Sequence, residues 1–279
     1  MTQPLPDAAR SSQQIHQETG AAWDLIAQAG YSGEIAEDIQ FIRNGGISLL
    51  EPEQRLLQGL ADWCECAIQL QCSGGRDLLS IWQLGAKRIV GVDISETLLG
   101  YAAQKATALN APAIWVHADI LATPTALNGV ADLVYTGRGA LMWMMDLVAW
   151  AAVVARLLRP GGRVMVFEGH PLDNLWVRDA DTFVLRPDGV GYFPQAAQEN
   201  PGFPLSALTR TSGDTPTRPQ MLERHWRPSE VINALTAAGL RYRHFEEYPV
   251  LFWDQFPNLP PSIAERLPHT YSVLMEKQL

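Results

Sequence analysis

Short apolar runs alternate with amphipathic segments between residues 66 and 170, and this alternation limits the fold more than any other feature of the chain. The apolar runs read CAIQLQ, RIVGVDIS, AIWVHADI, ADLVYT and RVMVFEG. Helical patterns lie between them, as RDLLSIWQLGA, ETLLGYAAQKATALNA and the segment from Leu141 to Leu158. Strands that alternate with helices in this way predict a doubly wound α/β fold with a mostly parallel sheet, because β-α-β crossovers are right-handed.

The regions on either side have a different pattern. Residues 1–60 carry apolar residues at helical intervals, and a further helix fits EPEQRLLQGLADW. From residue 171 to 226 the alternation stops and proline becomes frequent, which predicts an inserted cap. The chain then returns to a helix, PSEVINALTAAGL, and two late strands, RYRHFEEYP and TYSVLMEK. The predicted domains are an N-terminal helical region over 1–60, a core over 61–170, a cap over 171–226 and a segment over 227–279 that completes the core sheet.

The charge balance and the cysteines argue against several classes of protein. The 21 Lys and Arg residues against 30 Asp and Glu residues leave a net charge of −9, which disfavours a nucleic-acid partner. No apolar run is long enough to span a bilayer, and the first residues lack the features of a signal peptide. The three cysteines form no C-x-x-C pair, so we expect no disulfide framework, no metal site and a cytoplasmic location.

The first strand is followed by the turn QCSGGRD, where a dinucleotide-binding protein would carry G-x-G-x-x-G. Gln71, Cys72 and Ser73 occupy the positions where glycine lets the backbone approach a pyrophosphate. Asp93 ends the second strand about 20 residues further on, at the position of an acid that binds a ribose. The helix that begins after Gly75 offers partial positive charge to a carboxylate. A ligand with a ribose, a carboxylate and no phosphate fits this pattern, and S-adenosylmethionine is such a nucleoside.

A second acid stands just past the third strand. Asp119, in VHADI, is placed to accept a hydrogen bond from an adenine amino group. Ile94 and Ile120 follow the two acids and are placed to sandwich a purine. Ligands of open α/β sheets bind at the carboxyl ends of the strands, so the two acids predict one site. Each acid also has a structural alternative, the capping of the helix or turn that follows it.

These motifs resemble those of the class I, Rossmann-like S-adenosylmethionine-dependent methyltransferases, over roughly residues 66–170 with a matching tail to residue 279. The resemblance rests on IQLQCSGGRD, IVGVDIS, VHADI, ADLVYTGRGALMWMMDLVAWAAVVARLLRPGG and VMVFEGHP. It implies a seven-stranded sheet with an antiparallel last strand and, through the LQC and EGHP forms, a bacterial type that methylates small molecules. The chain departs from the family at Gln69, where an acid is usual, and at Gln71 and Ser73, where glycine is usual.

The resemblance also implies roles for several other residues. Tyr135 and Thr136 end the fourth strand, where the family places the sulfonium and the acceptor. We therefore expect both to contact the cofactor, and Tyr135 to take part in catalysis. Trp23 and Tyr31 lie in the N-terminal helical region, which in this family often folds over the cofactor as a lid. Core packing is the alternative for these aromatic residues.

A histidine follows the fifth strand at the same edge of the sheet. His170, in FEGHP, can accept a proton from a nucleophile near neutral pH. Its alternative is a structural role, bonded to Glu168 or to the loop backbone. Arg138 can bind an anion or remain solvated, and His225 can reach the cleft from the cap. Aromatic residues around the cleft predict an apolar or aromatic acceptor, namely Trp143, Trp176, Phe183, Tyr192 and Trp226.

The predicted function is methyl transfer from S-adenosylmethionine to an O, N or S atom of a small molecule, with S-adenosylhomocysteine as the other product. Three alternatives stay open. A nicotinamide-dependent oxidoreductase is disfavoured by the missing glycines. A nucleic-acid methyltransferase is disfavoured by the acidic charge and by the lack of an Asn/Asp-Pro-Pro-aromatic motif. A protein that binds the nucleoside without catalysis is the third.

Overall fold

The computed structural model describes residues 10–30, 34–188, 191–193, 197–199 and 221–279, and at its centre lies a seven-stranded sheet. Its strands are β1 Cys66–Leu70, β2 Arg88–Asp93, β3 Ala113–His117, β4 Ala131–Gly137, β5 Leu158–Gly169, β8 Leu240–Tyr248 and β9 Thr270–Lys277. Strands β6 Gln198–Glu199 and β7 Leu222–Glu223 form a separate two-stranded ribbon. The sheet order is β3-β2-β1-β4-β5-β9-β8, and β9 runs antiparallel to both of its neighbours. The predicted doubly wound sheet with an antiparallel last strand is confirmed.

Helices cover both faces of this sheet. They are α1 Ser12–Gly30, α2 Glu34–Arg43, α3 Glu51–Leu56, α4 Leu60–Trp63, α5 Arg76–Gln83, α6 Glu96–Leu109, α7 Leu147–Leu157, α8 Pro228–Ala237 and α9 Pro261–Ala264. Successive side chains of β4 point to opposite faces. Val134 shares a buried cluster with Trp150 of α7, whereas Leu133 and Tyr135 share another with Leu79 of α5. The apolar runs are therefore buried on two sides, as expected of central parallel strands.

Two helix predictions were wrong in their bounds. The helix expected over residues 51–63 is divided into α3 and α4, because Gly59 adopts a left-handed backbone with φ of 68° between them. The helix expected from Leu141 begins instead at Leu147, after a 3-10 turn over Leu141–Trp143. Asp146 caps α7 by accepting a hydrogen bond from the Ala149 backbone N–H at 2.9 Å. As a result, residues 138–146 form a loop at the carboxyl edge of the sheet.

The region predicted as a cap is described only in part. A 3-10 turn over Pro171–Leu175 follows β5, and Trp176 and Leu185 form an isolated antiparallel bridge. The ribbon of β6 and β7 belongs to the same region. Residues 189–190, 194–196 and 200–220 lie outside the described residues. Within the described ranges, no helix combines the length and the apolar character needed to cross a membrane.

Candidate active site

A cavity of about 310 Å³ opens at the carboxyl edge of the sheet, where β1 and β4 lie side by side and the strand order reverses. We call this cavity the turn chamber. Its described lining comprises Thr19, Trp23, Gln69, Gln71, Cys72, Ser73, Gly74, Gly75, Arg76, Asp77, Asp93, Ile94, Leu98, Gly137, Arg138, Gly139, Ala140, Trp143 and Phe252. Seven of the predicted cofactor residues thus border one cavity, namely Trp23, Gln71, Cys72, Ser73, Gly75, Asp93 and Ile94.

The turn after β1 adopts the backbone of a glycine turn with few glycines. Gln71 and Ser73 have φ of 55° and 49°, in the left-handed region that favours glycine. Gln71 compensates with a hydrogen bond from its Nε2 to the Ala140 carbonyl at 2.6 Å. Cys72 between them is buried, and burial raises the pKa of its thiol well above the usual range, so it packs as a small apolar residue.

Gly75 sits where the turn becomes α5, with φ of 76°. A Cβ at this position would lie 2.7 Å from the Trp115 ring and 2.8 Å from Ala102 Cβ, so packing as well as backbone conformation requires glycine here. The turn is fixed from behind by the buried Lys105, whose Nζ donates to the Gly74 carbonyl at 3.0 Å. The first turn of α5 therefore faces the turn chamber on a rigid support.

Asp93 is buried at the end of β2 and joins the turn to the next helix. Its carboxylate accepts hydrogen bonds from the backbone N–H groups of Ser73 at 2.7 Å and Ser95 at 2.9 Å. Burial raises the pKa of this carboxyl, although the backbone bonds oppose the shift. Asp93 thus borders the turn chamber and also has the structural role that was its alternative, while its contact with a ribose stays a prediction.

The second acid borders a narrow extension of the turn chamber. This slot of about 30 Å³ is lined by His16, Thr19, Gln71, Ile94, Asp119, Ile120, Trp143 and Met144. Asp119 Oδ2 lies 2.9 Å from His16 Nδ1, and its Oδ1 accepts from the Leu121 backbone N–H at 2.9 Å. Burial alone would raise the pKa of Asp119, but the bonds from His16 and Leu121 outweigh it and lower the pKa. Helix α1 therefore reaches the acid through His16.

Two predicted residues of β4 lie away from both the turn chamber and the slot. Tyr135 is fully buried, and its hydroxyl donates to Glu53 in the core between the sheet and α3. Thr136 is equally buried in the strand. The prediction of side-chain contact with the cofactor for these two residues is corrected, and with it the catalytic role of Tyr135. The physical reason is that β4 continues to Gly137, so the residues that reach the chamber are Gly137 to Ala140.

Of the two lid residues, Trp23 lies at the site, and Tyr31 falls outside the described residues. Trp23 meets Trp143 edge to face, with ring centroids 5.8 Å apart. Arg138 is neither solvated nor open to an anion, because it is paired with Asp77 and its Nη1 donates to the Ser48 carbonyl at 2.9 Å. This ion pair closes one side of the turn chamber.

A second cavity of about 280 Å³ adjoins the first, and we call it the aromatic chamber. Its described lining comprises Trp23, Arg138, Gly139, Leu141, Met142, Trp143, Glu168, Gly169, His170, Pro171, Asp173, Asn174, Arg178, Glu223, Arg224, His225, Trp226, Phe252, Trp253, Gln255 and Tyr271. Five residues border both chambers: Trp23, Arg138, Gly139, Trp143 and Phe252. We call these five the junction. Among the aromatic residues predicted around the cleft, Trp143 and Trp226 line the chamber, while Trp176 and Phe183 pack on each other instead.

His170 lines the aromatic chamber with both ring nitrogens engaged. Its Nδ1 accepts a hydrogen bond from the Leu172 backbone N–H at 3.3 Å, and its Nε2 lies 3.0 Å from Glu247 Oε1. Burial lowers the pKa of His170 despite the nearby Glu247. The arrangement matches the structural alternative, with Glu247 in place of Glu168 as the acid, and it leaves no lone pair for a substrate proton.

Glu168 instead shapes the loop at the junction. Its carboxylate accepts hydrogen bonds from three consecutive backbone N–H groups, those of Gly139 at 2.7 Å and of Ala140 and Leu141 at 2.9 Å. Burial raises the pKa of this carboxyl while the backbone bonds oppose the shift. Sequence reasoning missed this loop because the helical pattern from Leu141 concealed it. The sequence TGRG, with two glycines directly after a strand, was the available signal.

The fold and the site together are Rossmann-like. The sheet has the order β3-β2-β1-β4-β5-β9-β8, a cavity opens at its switch point, and an acid stands at the end of β2. Residues 67–162 match the family model of a methyltransferase domain. Residues 67–162 of this chain are therefore similar to a methyltransferase domain, in agreement with the resemblance of the sequence motifs, and the sheet has the Rossmann-like fold of the solved structures described next.

Individual relatives resemble the chain over different lengths. The malonyl-[acyl-carrier protein] O-methyltransferase of Hahella chejuensis is 38% identical over 78 residues, which are 28% of this chain and 26% of that protein. A solved Listeria monocytogenes protein assigned to the S-adenosylmethionine-dependent methyltransferases superposes with a TM-score of 0.59 at 18% identity, over 82% of this chain and 97% of that one. The [4+2]-cyclase SpnF gives a TM-score of 0.57 at 15% identity, over 97% and 98% of the two chains. At these identities the structural matches show the fold alone.

Proposed function

We propose that this protein transfers the methyl group of S-adenosylmethionine to an O, N or S atom of a small molecule. The observation that carries the proposal is the pair of adjoining chambers that share the five residues of the junction. One chamber has the acid and the turn expected for a nucleoside with an amino-acid tail, and the other has aromatic walls suited to an apolar acceptor. A methyl group need only cross the junction between two bound molecules.

The residues of the turn chamber fit the cofactor in one further respect. Thr19 Oγ1, Gln69 Oε1 and Gln71 Oε1 are buried atoms without a hydrogen-bond partner among the described residues, and all three side chains border the turn chamber. Buried polar atoms are normally paired, so unpaired ones beside a cavity favour a polar ligand. Gln69 stands where the family has an acid, and its Oε1 would accept a hydrogen bond from the amino group of the cofactor.

The chain's own residues would act mainly by positioning. Asp93 would hold the ribose, Asp119 would face the adenine edge with Ile94 and Ile120 beside the ring, and the first turn of α5 would face the carboxylate. The sulfonium of S-adenosylmethionine supplies an already activated methyl group. Alignment of the acceptor at the junction and exclusion of water by Trp23, Trp143 and Phe252 would then supply most of the acceleration.

The domain division and the location belong to the same proposal. We propose that residues 1–60 act as a lid, 61–170 as the cofactor-binding core, 171–226 as a cap over the acceptor and 227–279 as the completion of the sheet. The presence of Thr19 and Trp23 in the turn-chamber wall supports the lid. A cytoplasmic location stays a prediction from the composition.

Binding and turnover test the proposal. We expect isothermal titration calorimetry to give micromolar or tighter binding of S-adenosylhomocysteine and no comparable binding of a nicotinamide dinucleotide. Incubation with S-adenosylmethionine labelled in its methyl group should transfer the label to a member of a small-molecule acceptor panel. Preferred binding of the dinucleotide would favour the oxidoreductase, and binding of S-adenosylhomocysteine without any transfer would favour a non-catalytic protein.

A further inference from the structure

Glu223 and His225 meet in the wall of the aromatic chamber. His225 Nε2 lies 2.8 Å from Glu223 Oε1, and both side chains are nearly buried, 12% and 11% exposed. Because a carboxylate accepts this hydrogen bond, Nε2 carries the hydrogen and Nδ1 is left as the basic nitrogen. Within the described part of the chain, Nδ1 has no hydrogen-bond partner. This nitrogen is also not completely buried, so it keeps some access to the chamber.

The backbone around His225 is tied to the loop that forms the junction. The Arg224 N–H donates to the Met142 carbonyl at 2.7 Å, and Trp226 Nε1 donates to the Met144 carbonyl at 3.0 Å. These two carbonyls flank Trp143, which borders both chambers. The pair of Glu223 and His225 is therefore held on the loop across which a methyl group would pass.

Other proton acceptors in the aromatic chamber are already engaged. Three backbone N–H groups occupy Glu168, and both ring nitrogens of His170 are bonded. Asp173 accepts from His269 at 2.7 Å and from the amide of Gln255. The cations that line the same chamber, Arg138, Arg178 and Arg224, cannot accept a proton at neutral pH. His225 is thus the described side chain of this chamber best placed to act as a base.

The walls of the aromatic chamber indicate the shape of the acceptor. They include six aromatic side chains, from Trp23, Trp143, Trp226, Phe252, Trp253 and Tyr271. An apolar protein cavity of roughly 150 Å³ can hold benzene, so a chamber of about 280 Å³ has room for one substituted ring or two fused rings. Flat rings pack well against such walls, edge to face or offset.

We propose that the acceptor is an aryl hydroxyl and that His225, held by Glu223, is the general base that takes its proton. This inference rests on the proposed methyl transfer and names its substrate class. The phenolic O–H bond breaks with its proton going to His225 Nδ1, while the oxygen attacks the methyl carbon. The methyl–sulfur bond breaks, its electron pair stays on sulfur, and the products are an aryl methyl ether, S-adenosylhomocysteine and an imidazolium that returns its proton to water.

The basicity of an imidazole favours aryl hydroxyls over aliphatic hydroxyls as the acceptor. A phenol has a pKa of about 10, close enough to that of an imidazole for proton transfer to assist the attack. An aliphatic alcohol is far less acidic and would need a stronger base. An aryl thiol is largely ionised near neutral pH and needs no base. The dependence on His225 should therefore differ between aryl hydroxyls and aryl thiols.

Matched panels of substituted phenols and thiophenols, with labelled S-adenosylmethionine and the full chain, test the proposal. His225→Gln keeps a donor for Glu223 but removes the base. We expect this variant to lose roughly 100-fold in kcat for phenols and only a few-fold for thiophenols, with unchanged affinity for S-adenosylhomocysteine. Glu223→Gln, at the positioning residue, should lower kcat for phenols selectively by about 10-fold. A merely structural role would lower both panels together.

Two further variants complete the experiment. His244→Gln changes a partly exposed histidine on β8, away from both chambers, and should leave both panels unchanged. His170→Gln removes the other histidine of the aromatic chamber, and a selective loss of phenol transfer there but not in His225→Gln would overturn the proposal. Equal losses on both panels in His225→Gln would overturn it too.

The wild-type protein separates failure of this inference from failure of the proposed function. Binding of S-adenosylhomocysteine with transfer to thiols or amines but to no phenol would overturn the aryl-hydroxyl acceptor and keep methyl transfer. Binding without any transfer would overturn the aryl-hydroxyl inference as well, and would leave a cofactor site without the predicted chemistry. Absence of S-adenosylhomocysteine binding would remove the proposed function itself.

Discussion

Asp93 and Asp132 are buried acids that each accept hydrogen bonds from two backbone N–H groups, at opposite edges of the sheet, and Asp132 also pairs with Arg159. Asp93 accepts from the backbone N–H groups of Ser73 and Ser95 at the end of β2. Asp132, near the start of β4, accepts from those of Glu65 and Cys66 at 3.0 and 2.8 Å. Of the two, Asp93 borders the turn chamber. The pair therefore separates the contribution of a buried carboxylate to stability from a contribution to ligand binding.

Asp93→Asn should weaken binding of S-adenosylhomocysteine by about 10- to 100-fold, because a hydrogen bond to a charged group is worth about 1.5–3 kcal/mol. Calorimetric titration gives the affinity, and a thermal melt gives the stability. Asp132→Asn is the control at a buried acid outside the chambers: it should lower the melting temperature at least as much, because it also weakens the pair with Arg159, and leave the affinity unchanged. An affinity that does not change in Asp93→Asn would place the ribose elsewhere.

Tyr135 is expected to matter for stability rather than for binding. Its hydroxyl donates to the buried Glu53, whose other oxygen accepts from the Leu50 backbone N–H at 2.8 Å. Tyr135→Phe leaves one buried carboxyl oxygen without its donor, so the free energy of unfolding should fall by about 1–3 kcal/mol. Urea denaturation measures this loss. The affinity for S-adenosylhomocysteine should stay constant, and a large loss of affinity would restore the cofactor contact that the sequence predicted.

Among the elements, the strands of the core and the acids that end them could be predicted from the sequence. Hydrophobic runs of four to eight residues and the spacing from the turn to Asp93 are local signals. The loop over residues 138–146 was missed because its apolar residues, from Leu141 to Met145, continue the helical pattern of α7. The helix begins only after its N-cap, Asp146. The contact of α1 with Asp119 joins residues 103 positions apart, and no local pattern encodes such a pairing.

Helix α1 would compete with the purine proposed to bind in the slot beside Asp119. His16 donates to Asp119 at 2.9 Å, its Nε2 accepts from the Met145 backbone N–H at 3.1 Å, and the slot holds only about 30 Å³. An adenine ring beside this carboxylate needs more room than the slot offers, so it would have to shift this imidazole. Helix α1 would thus line the proposed site and also occupy part of it.

His16→Ala should therefore bind S-adenosylhomocysteine about fivefold more tightly, because roughly 1 kcal/mol of hydrogen bonding no longer has to be broken. Calorimetry on the full chain measures the change. Gln28→Ala, which removes the bond from α1 to Thr97, serves as the control on the same helix and should have little effect. Weaker binding in His16→Ala would mean that α1 holds the cofactor in place with His16 still bonded to Asp119.

At the scale of the whole molecule, the fold says less about the type of reaction than the two chambers do. The cyclase SpnF shares this fold over nearly the full length of both chains, so the sheet by itself does not select methyl transfer. What supports the proposed methyl transfer is the coincidence of the turn chamber, the aromatic chamber and their shared junction. Those features depend on segments from both ends of the chain, including Trp23 of α1 and Phe252 after β8.

The aromatic chamber is stabilised by a buried ion pair that joins three segments of the chain. His269, directly before β9, places Nδ1 2.7 Å from Asp173 after β5 and Nε2 2.9 Å from the Ala264 carbonyl of α9. Both partners accept, so His269 carries two hydrogens and a positive charge. Burial alone would lower the pKa of His269, but the bonds to Asp173 and Ala264 outweigh it and raise the pKa. Burial raises the pKa of Asp173 to about 6.

The two shifts at His269 and Asp173 lower the stability of the molecule as the pH rises, whereas the lowered pKa of His170 acts in the opposite direction in the same range. A histidine whose pKa is raised on folding contributes stability that is complete below its unfolded pKa of about 6.5 and is lost as the pH rises through the folded value. The raised pKa of Asp173 acts in the same direction as that of His269, between about pH 4 and the pKa of Asp173 in the folded state, because the folded state then binds more protons than the unfolded one.

His269→Gln leaves a buried acid without its charged partner and should lower the free energy of unfolding by about 3–5 kcal/mol at slightly acid pH. Urea denaturation of both proteins from mildly acid to alkaline pH should show a free energy of unfolding that falls more with pH in the wild type than in the variant, because the contribution of His170 is the same in both. Equal slopes would mean that the pair is not charged.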